Sequence, residues 1–223
     1  MSALVGTLAI VLDLILPLEC GGCGAPSTRW CDACAVQLSV PADKPHVVNP
    51  RVDPQVPVFA LGRYAGPRRQ VILAMKERGR GDLVAPLAGA LAIGVHRLLV
   101  WGMVETPLTI VPAPTRRSAA RRRGGDPVTR MARLAAAALP QRRDITVVQA
   151  LRMKALARDS MGLGSAARER NIAGRVLLRG ARPRTEVVLV DDVVTTGATV
   201  RESVRILQAA GVRVAAVLAI AAA

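Results

Sequence analysis

Thirteen residues near the carboxyl end carry the clearest chemistry in the chain: Val187, Val188, Leu189, Val190, Asp191, Asp192, Val193, Val194, Thr195, Thr196, Gly197, Ala198 and Thr199. Four aliphatic residues in a row suit a parallel strand buried on both faces. From Ala198 to Leu207 the apolar positions fall at helical spacing, and Gly211 follows as a stop. A loop that leaves such a strand and opens a helix aims free backbone N–H groups and the positive end of the helix dipole at one point, which makes an anion site. Gly197 would let the backbone come close to the anion, and the hydroxyls of Thr195, Thr196 and Thr199 would add hydrogen bonds. Two adjacent carboxylates would repel a bare phosphate. Asp191 and Asp192 make sense when the ligand also carries hydroxyls or a magnesium ion, as a ribose 5-phosphate does. The competing reading, an Asp-Asp cap before an ordinary helix, needs one acidic residue and no Thr-Thr-Gly.

The second constellation is made of all four cysteines. Cys20-Gly-Gly-Cys23 and Cys31-Asp-Ala-Cys34 are separated by seven residues. Two C-x-x-C knuckles bring four thiolates together in the tetrahedral arrangement that suits Zn2+. A pair of disulfides is the competitor, but nothing in the sequence argues for export. With four cysteine ligands no coordination position stays open for a catalytic water, so the expected zinc is structural.

The elements that must hold these groups follow from the rest of the chain. Its 223 residues allow one α/β domain and a small appendage. Strands are expected at 58–64, 108–111, 145–151, 187–190 and 212–220. Helices are expected at 4–18, 68–78, 83–104, 127–139 and from Ala198 onward. Strands alternate with helices, so the fold class is α/β with a mainly parallel sheet, and the ligand should lie at the carboxyl ends of its strands. The expected division is an N-terminal helix and four-cysteine module at 1–40, a proline-rich linker at 41–57 and the main domain at 58–223.

The formal charge is +15, carried almost wholly by arginine, since Lys44, Lys76 and Lys154 are the only lysines. That charge favours polyanions, either nucleic acid or phosphorylated metabolites. Phe59, Tyr64, Trp30 and Trp101 are the only aromatic residues, too few for a surface that stacks bases. The apolar stretch at 2–18 lacks a basic start and contains Asp13, and the one at 83–104 is interrupted by His96 and Arg97. Both read as elements of a soluble fold rather than as membrane spans or a signal peptide, which places the protein in the cytoplasm.

Residues 187–199 resemble the motif by which type I phosphoribosyltransferases bind 5-phosphoribosyl-1-pyrophosphate (PRPP). The resemblance implies that Asp191 and Asp192 hold the ribose 2′- and 3′-hydroxyls, while Val193 to Thr199 wrap the 5′-phosphate, with Mg2+ on the diphosphate. Cysteine knuckles ahead of that motif look like the ComF/GntX family of competence-associated, phosphoribosyltransferase-like proteins. Tyr64-Ala65-Gly66 with Arg69, Ile72 and Lys76 resembles its Y-x-G…R…I…K segment. Val111-Pro112-Ala113-Pro114 with Arg117 and Arg121 to Gly124 resembles its V-P-V-P…R…R-G-F-N segment, and Arg168-Glu169-Arg170-Asn171 its E-R-x-x-N segment. Two departures stand out. Gly125-Asp126 replaces the family's Phe-Asn, and Arg152 followed by Arg158-Asp159-Ser160 replaces its R-x-x-T-x-x-Q.

If PRPP binds, the reaction open to it is displacement of pyrophosphate at ribose C1, and catalysis amounts to neutralising the leaving group. Pro112, Ala113, Pro114 and Thr115 form the candidate pyrophosphate loop, with Arg116, Arg117 and Arg121 beside it as clamps. Arg152, Lys154 and Arg158 sit in a basic loop that could close over the diphosphate. Lys76, Arg170 and Asn171 are further candidates. No general base is visible, because His46 and His96 fall in the linker and in a buried helix. Three readings remain: a phosphoribosyltransferase with an unidentified acceptor, a nucleotide- or DNA-binding factor that works with DNA-uptake or processing proteins, and a structural adaptor of the same machinery.

Overall fold

The computed structural model describes residues 18–115, 125–141, 143–154, 174–180 and 182–223. The helix expected at 4–18 lies outside them, apart from Leu18. So do six candidate site residues: Arg116, Arg117, Arg121, Arg158, Arg170 and Asn171.

The described elements run α1 (Asp32–Leu38), β1 (His46–Val47), β2 (Val58–Ala60), α2 (Gly66–Glu77), a 3-10 turn (Gly81–Leu83), α3 (Val84–Val100), β3 (Leu108–Pro112), α4 (Pro127–Ala138), β4 (Ile145–Val147), β5 (Leu151–Met153), β6 (Val176–Leu178), β7 (Glu186–Val194), α5 (Ala198–Ala209) and β8 (Val214–Ala222). The main sheet has six strands in the order β1-β2-β8-β7-β3-β4. β2, β8, β7, β3 and β4 are mutually parallel, and only the edge strand β1 runs antiparallel. The α/β class and the mainly parallel sheet expected from the alternation of elements are both present.

Both faces of this sheet are covered, which explains the unbroken aliphatic run in its central strand. Val187, Val188, Leu189 and Val190 are all fully buried. Val188 and Val190 face a core closed by α2, α3 and α4, which also takes in Ile110, Leu218 and Ile220. Val187 and Leu189 face the opposite core, with Val200, Val204 and Leu207 of α5 and Met153 and Val176 of the small β5–β6 hairpin.

Several boundaries differ from expectation, each for a packing reason. The strand expected at 145–151 is split. Ile145–Val147 pairs with β3, whereas Leu151–Met153 turns away to pair antiparallel with Val176–Leu178. The first part of the expected basic loop is therefore a strand, and β6 was not foreseen. β7 runs on past the acidic pair to Val194, because β8 is long enough to keep pairing as far as Ala222. Residues 41–57, read as a linker, contribute the edge strand β1, and Arg97 of α3 holds them down by donating to the carbonyls of Pro41, Lys44 and Val40. Among the described residues one helical stretch, Gly81–Val100, is long and apolar enough to cross a membrane, and more than half of it is buried inside the fold.

Candidate functional site

The strand order places a crevice where an α/β sheet binds ligands. After β3 the chain moves outward to β4, and after β7 it moves the other way to β8. α4, which follows β3, packs on one face of the sheet, and α5, which follows β7, packs on the other. The loops leaving the neighbouring strands β3 and β7 therefore part at a topological switch point, the position where ligands of open α/β sheets sit. One hydrogen bond, from Ala113 N to Val190 O at 2.8 Å, ties the start of the β3 loop to strand β7.

Asp191 and Asp192 stand at this switch point, inside β7 rather than in a cap. Asp192 is buried, with 1% of its surface exposed. Its Oδ1 accepts from Lys76 Nζ at 2.7 Å, and its Oδ2 is buried with no hydrogen-bond partner among the described residues. Leaving a buried acceptor unpaired costs on the order of 1–3 kcal/mol, so the oxygen is suited to an external donor or cation. Asp191 is half-buried and accepts from the Asp192 amide at 2.8 Å. Burial and then the neighbouring Asp192 carboxylate push its pKa up, to about 8, against the opposing pull of Lys76. Two carboxylates this close compete for one cation, and Lys76 supplies it. Lys76, expected to help neutralise a diphosphate, is thus committed to the acidic pair.

The threonine-rich loop has a buttress that the sequence did not reveal. Gly197 adopts φ +85°, a left-handed conformation favouring glycine, and forms the cap position of α5. The space that its Cβ would fill is taken by Val52 O at 2.6 Å and Pro50 Cβ at 2.7 Å. Glycine at this position thus permits the close approach of residues 50–52 on the side where a Cβ would stand. Val52 N also donates to Thr196 O at 2.9 Å, so the segment read as a linker props the loop from behind. Thr196 Oγ1 accepts from Ala198 N at 3.4 Å, while Thr195 is exposed and Thr199 half-buried.

Beyond the β3 loop lies a pocket of about 200 Å³ lined by Pro112 to Thr115, Asp126, Thr129, Gln149, Leu151, Arg152 and Arg179. Asp126 organises it. Its Oδ1 accepts from Thr115 Oγ1 at 2.9 Å and from Val128 N at 3.2 Å, and its Oδ2 accepts from Thr129 Oγ1 at 2.6 Å. The carboxylate that replaces an amide in the resembled segment is thus the N-cap of α4, a task aspartate and asparagine perform equally well. Gln149 Nε2 donates to Thr129 Oγ1 at 2.8 Å. Arg152, expected in a loop closing over a diphosphate, lines this pocket from β5. Lys154 is exposed, and its amide donates to Arg175 O at 2.8 Å. Arg179 was missed, since its place follows from the unforeseen pairing of β5 with β6.

The four cysteines converge. Their Sγ atoms lie within 4.8 Å of one another, with Cys20–Cys31 and Cys23–Cys31 both at 3.6 Å, and none is in a disulfide. A zinc ion with bonds of roughly 2.3 Å in a tetrahedron needs sulfur separations of about 3.8 Å, so the cluster fits a metal. Burial and hydrogen bonds from the other three thiols drive the Cys34 thiol upward. Burial also acts to raise Cys20, but amide hydrogen bonds from Cys23, Cys31 and Gly22 outweigh it and bring the thiol down to about 6. Four thiols so close cannot all ionise without a cation among them. The knuckle is docked on the main domain: a Cβ on Gly21 would lie 2.3 Å from Leu83 Cδ1, and one on Gly22 would lie 2.6 Å from Cys34 Sγ. Arg80, paired with Asp82, donates to Glu19 O and Arg29 O and clamps both strands of the knuckle.

No protein-family model matches the chain, and no curated protein matches it.

Proposed function

We propose that the chain is a type I phosphoribosyltransferase-like protein, similar to the ComF/GntX family, that binds PRPP or a related ribose 5-phosphate with magnesium at the switch point between β3 and β7. The observation that carries this reading is the buried Asp192 carboxylate with an orphaned Oδ2, directly ahead of a threonine-rich loop that opens a helix. A ribose presents hydroxyl donors to such an oxygen and a phosphate to such a loop.

In this reading Asp191 and Asp192 orient the ribose through its 2′- and 3′-hydroxyls. Thr195 to Thr199 hold the 5′-phosphate with their hydroxyls and the first amides of α5. The carboxylates and the diphosphate would hold Mg2+, which supplies positive charge to the leaving group. The Pro112–Thr115 loop and Arg152 face the leaving pyrophosphate and stabilise its charge as the bond from C1 breaks and the bond from C1 to the acceptor forms. Neither histidine lies on β3, β7 or α5, so deprotonation of the acceptor falls to another group. The four cysteines hold one structural zinc that fastens the knuckle to the 3-10 turn at Leu83.

Calorimetry with PRPP and magnesium, followed by an assay for released pyrophosphate, tests the reading. Saturable, magnesium-dependent heat is the expected result. Its absence at millimolar PRPP would overturn the reading, and pyrophosphate release that depends on an added acceptor would show transfer as well as binding.

A further inference from the structure

The first turn of α2 is charged the wrong way for a helix that starts in solvent. Helix N-termini favour acidic residues, because the dipole and the free amides are positive there. α2 has no acidic residue in its first turn and no side-chain cap, and its third and fourth residues are Arg68 and Arg69. Among the described residues, the amides of Gly66 and Arg68 have no backbone partner.

Arg68 makes the imbalance sharper. It retains only 9% of its exposure and its guanidinium lies against Gly62, where a Cβ would sit 2.7 Å from Nε. Nη2 donates to Gln37 O at 3.2 Å, but Nη1 is buried, and among the described residues it has no partner and no carboxylate pairs with the group. Burial pulls its pKa down, the direction expected of a cation that lacks a counter-charge. Arg68 forms part of the wall of a groove of about 450 Å³, the widest share of which comes from residues 36–44 and 61–68. Lys44 and Arg63 also line it, and no aspartate or glutamate does. Asp43, the partner of Lys44, stays outside the groove at 70% exposure.

We propose that this groove is a second anion site, separate from the β7–α5 loop, that takes a phosphate group between the Gly66 and Arg68 amides and the guanidiniums of Arg63 and Arg68, with Lys44 at the rim. The cations converge on one helix end rather than forming a track, which fits a single tetrahedral dianion such as a terminal phosphomonoester better than a run of phosphodiesters. The site does not depend on the ribose reading.

A crystal soaked in tungstate, a dense phosphate mimic, locates the site directly. The expected result is a tungstate peak at the first turn of α2, whether or not one appears at Thr195–Thr199. A peak at the β7–α5 loop with none at α2 overturns this inference alone, and a peak at α2 with none at the loop counts against the ribose reading alone. Because Arg68 is buried and its variants could misfold, the solution test uses the exposed Arg63. The Thr196→Val protein supplies the background, so that the loop contributes little. There, titration with inorganic phosphate at fixed ionic strength should show affinity reduced about tenfold by Arg63→Gln, the effect of losing one charge-assisted hydrogen bond. Unchanged affinity, or an equal response to chloride, would overturn the site. Methyl phosphate should bind like phosphate and dimethyl phosphate far more weakly; equal binding of the two would overturn the assignment to a dianion.

Discussion

Lys76 Nζ lies 2.7 Å from Asp192 Oδ1, joining residues 116 positions apart in the chain. The pair ties the end of α2 to the centre of the sheet. It also leaves the aspartate half satisfied, since Oδ2 has no partner. A buried charge kept with one lysine and an unpaired oxygen is costly for stability, and a ligand that completes the set would offset that cost. If ribose and magnesium arrive there, Lys76 is the counter-ion that they displace or share.

Asp192→Asn should weaken PRPP binding by about 1–3 kcal/mol, the range for a hydrogen bond to a charged group in a buried setting. Calorimetry with magnesium measures it. Thr196→Val should act in the same direction through the phosphate. Parent-like affinity in both variants would place the ligand elsewhere.

The raised pKa of Asp191 makes a statement about stability and pH. The unfolded carboxyl titrates near the ordinary aspartate value of 3.8 and the folded one at about 8. Between those values the folded state holds the proton and the unfolded state has lost it, so stability falls as pH rises through this window. Asp191→Asn removes the titration. The variant should therefore melt higher than the parent at pH 8.5 and show little difference at pH 4. Melting curves across that range check it, and equal shifts at both ends would mean that Asp191 is an ordinary carboxylate. Magnesium with PRPP should raise the parent's melting temperature most at the alkaline end.

The protein should contain one zinc per chain, measurable by elemental analysis after a reducing, chelator-free preparation. Removing the metal, or replacing Cys31 with Ser, should lower the stability of the whole chain and not of the knuckle alone. Gly21 packs on Leu83, and Arg80 holds Glu19 O and Arg29 O, so the knuckle is part of the wall around α3. A two-step melt, with the main transition unmoved by chelator, would show that these contacts are energetically minor.

How much of this could be read from the chain alone depended on whether the signal was local. The strand at 187–190 and the helix from Ala198 announce themselves, because burial on both faces demands a continuous aliphatic run and one-sided burial demands a helical stripe. The cysteine cluster was equally plain, since both knuckles are short. What escaped was set by contacts between distant segments. Nothing near Lys76 points to Asp192. Nothing in the proline-rich stretch at 50–52 says that it fills the missing Cβ of Gly197. Arg179 reaches the pocket only because Val176–Leu178 pairs with Leu151–Met153, and three-residue strands leave too little periodicity to be seen. Asp126 stands out in the chain only as a carboxylate after two glycines, and its role as a cap depends on Thr115, eleven residues away, and Thr129.

Arg152→Ala should weaken binding of pyrophosphate more than binding of ribose 5-phosphate, because Arg152 lines the pocket beyond the β3 loop and not the acidic pair. Arg179→Ala should do the same more weakly, since that side chain is exposed. Competition assays with the two ligands separate the effects. Equal losses for both ligands would mean that the arginines act through folding.

Single-stranded DNA should bind weakly and without sequence preference, through charge alone. The chain carries +15, with arginines grouped at 116–123 and 152–170 and no aromatic residue in either group. Without a stacking platform the attraction is counter-ion release, which salt abolishes. If about six phosphates are engaged, the single-strand salt slope predicts that affinity falls roughly three-hundredfold between about 50 and 200 mM salt. Arg152 belongs to one group and also lines the pocket at the β3 loop, so PRPP or pyrophosphate should displace part of the DNA. A salt titration of a labelled oligonucleotide, with and without pyrophosphate, reads both effects at once. A flat salt response, or no binding at the lower salt, would make the arginines solvated surface. A steep response that pyrophosphate leaves untouched would place the DNA on a face away from β3.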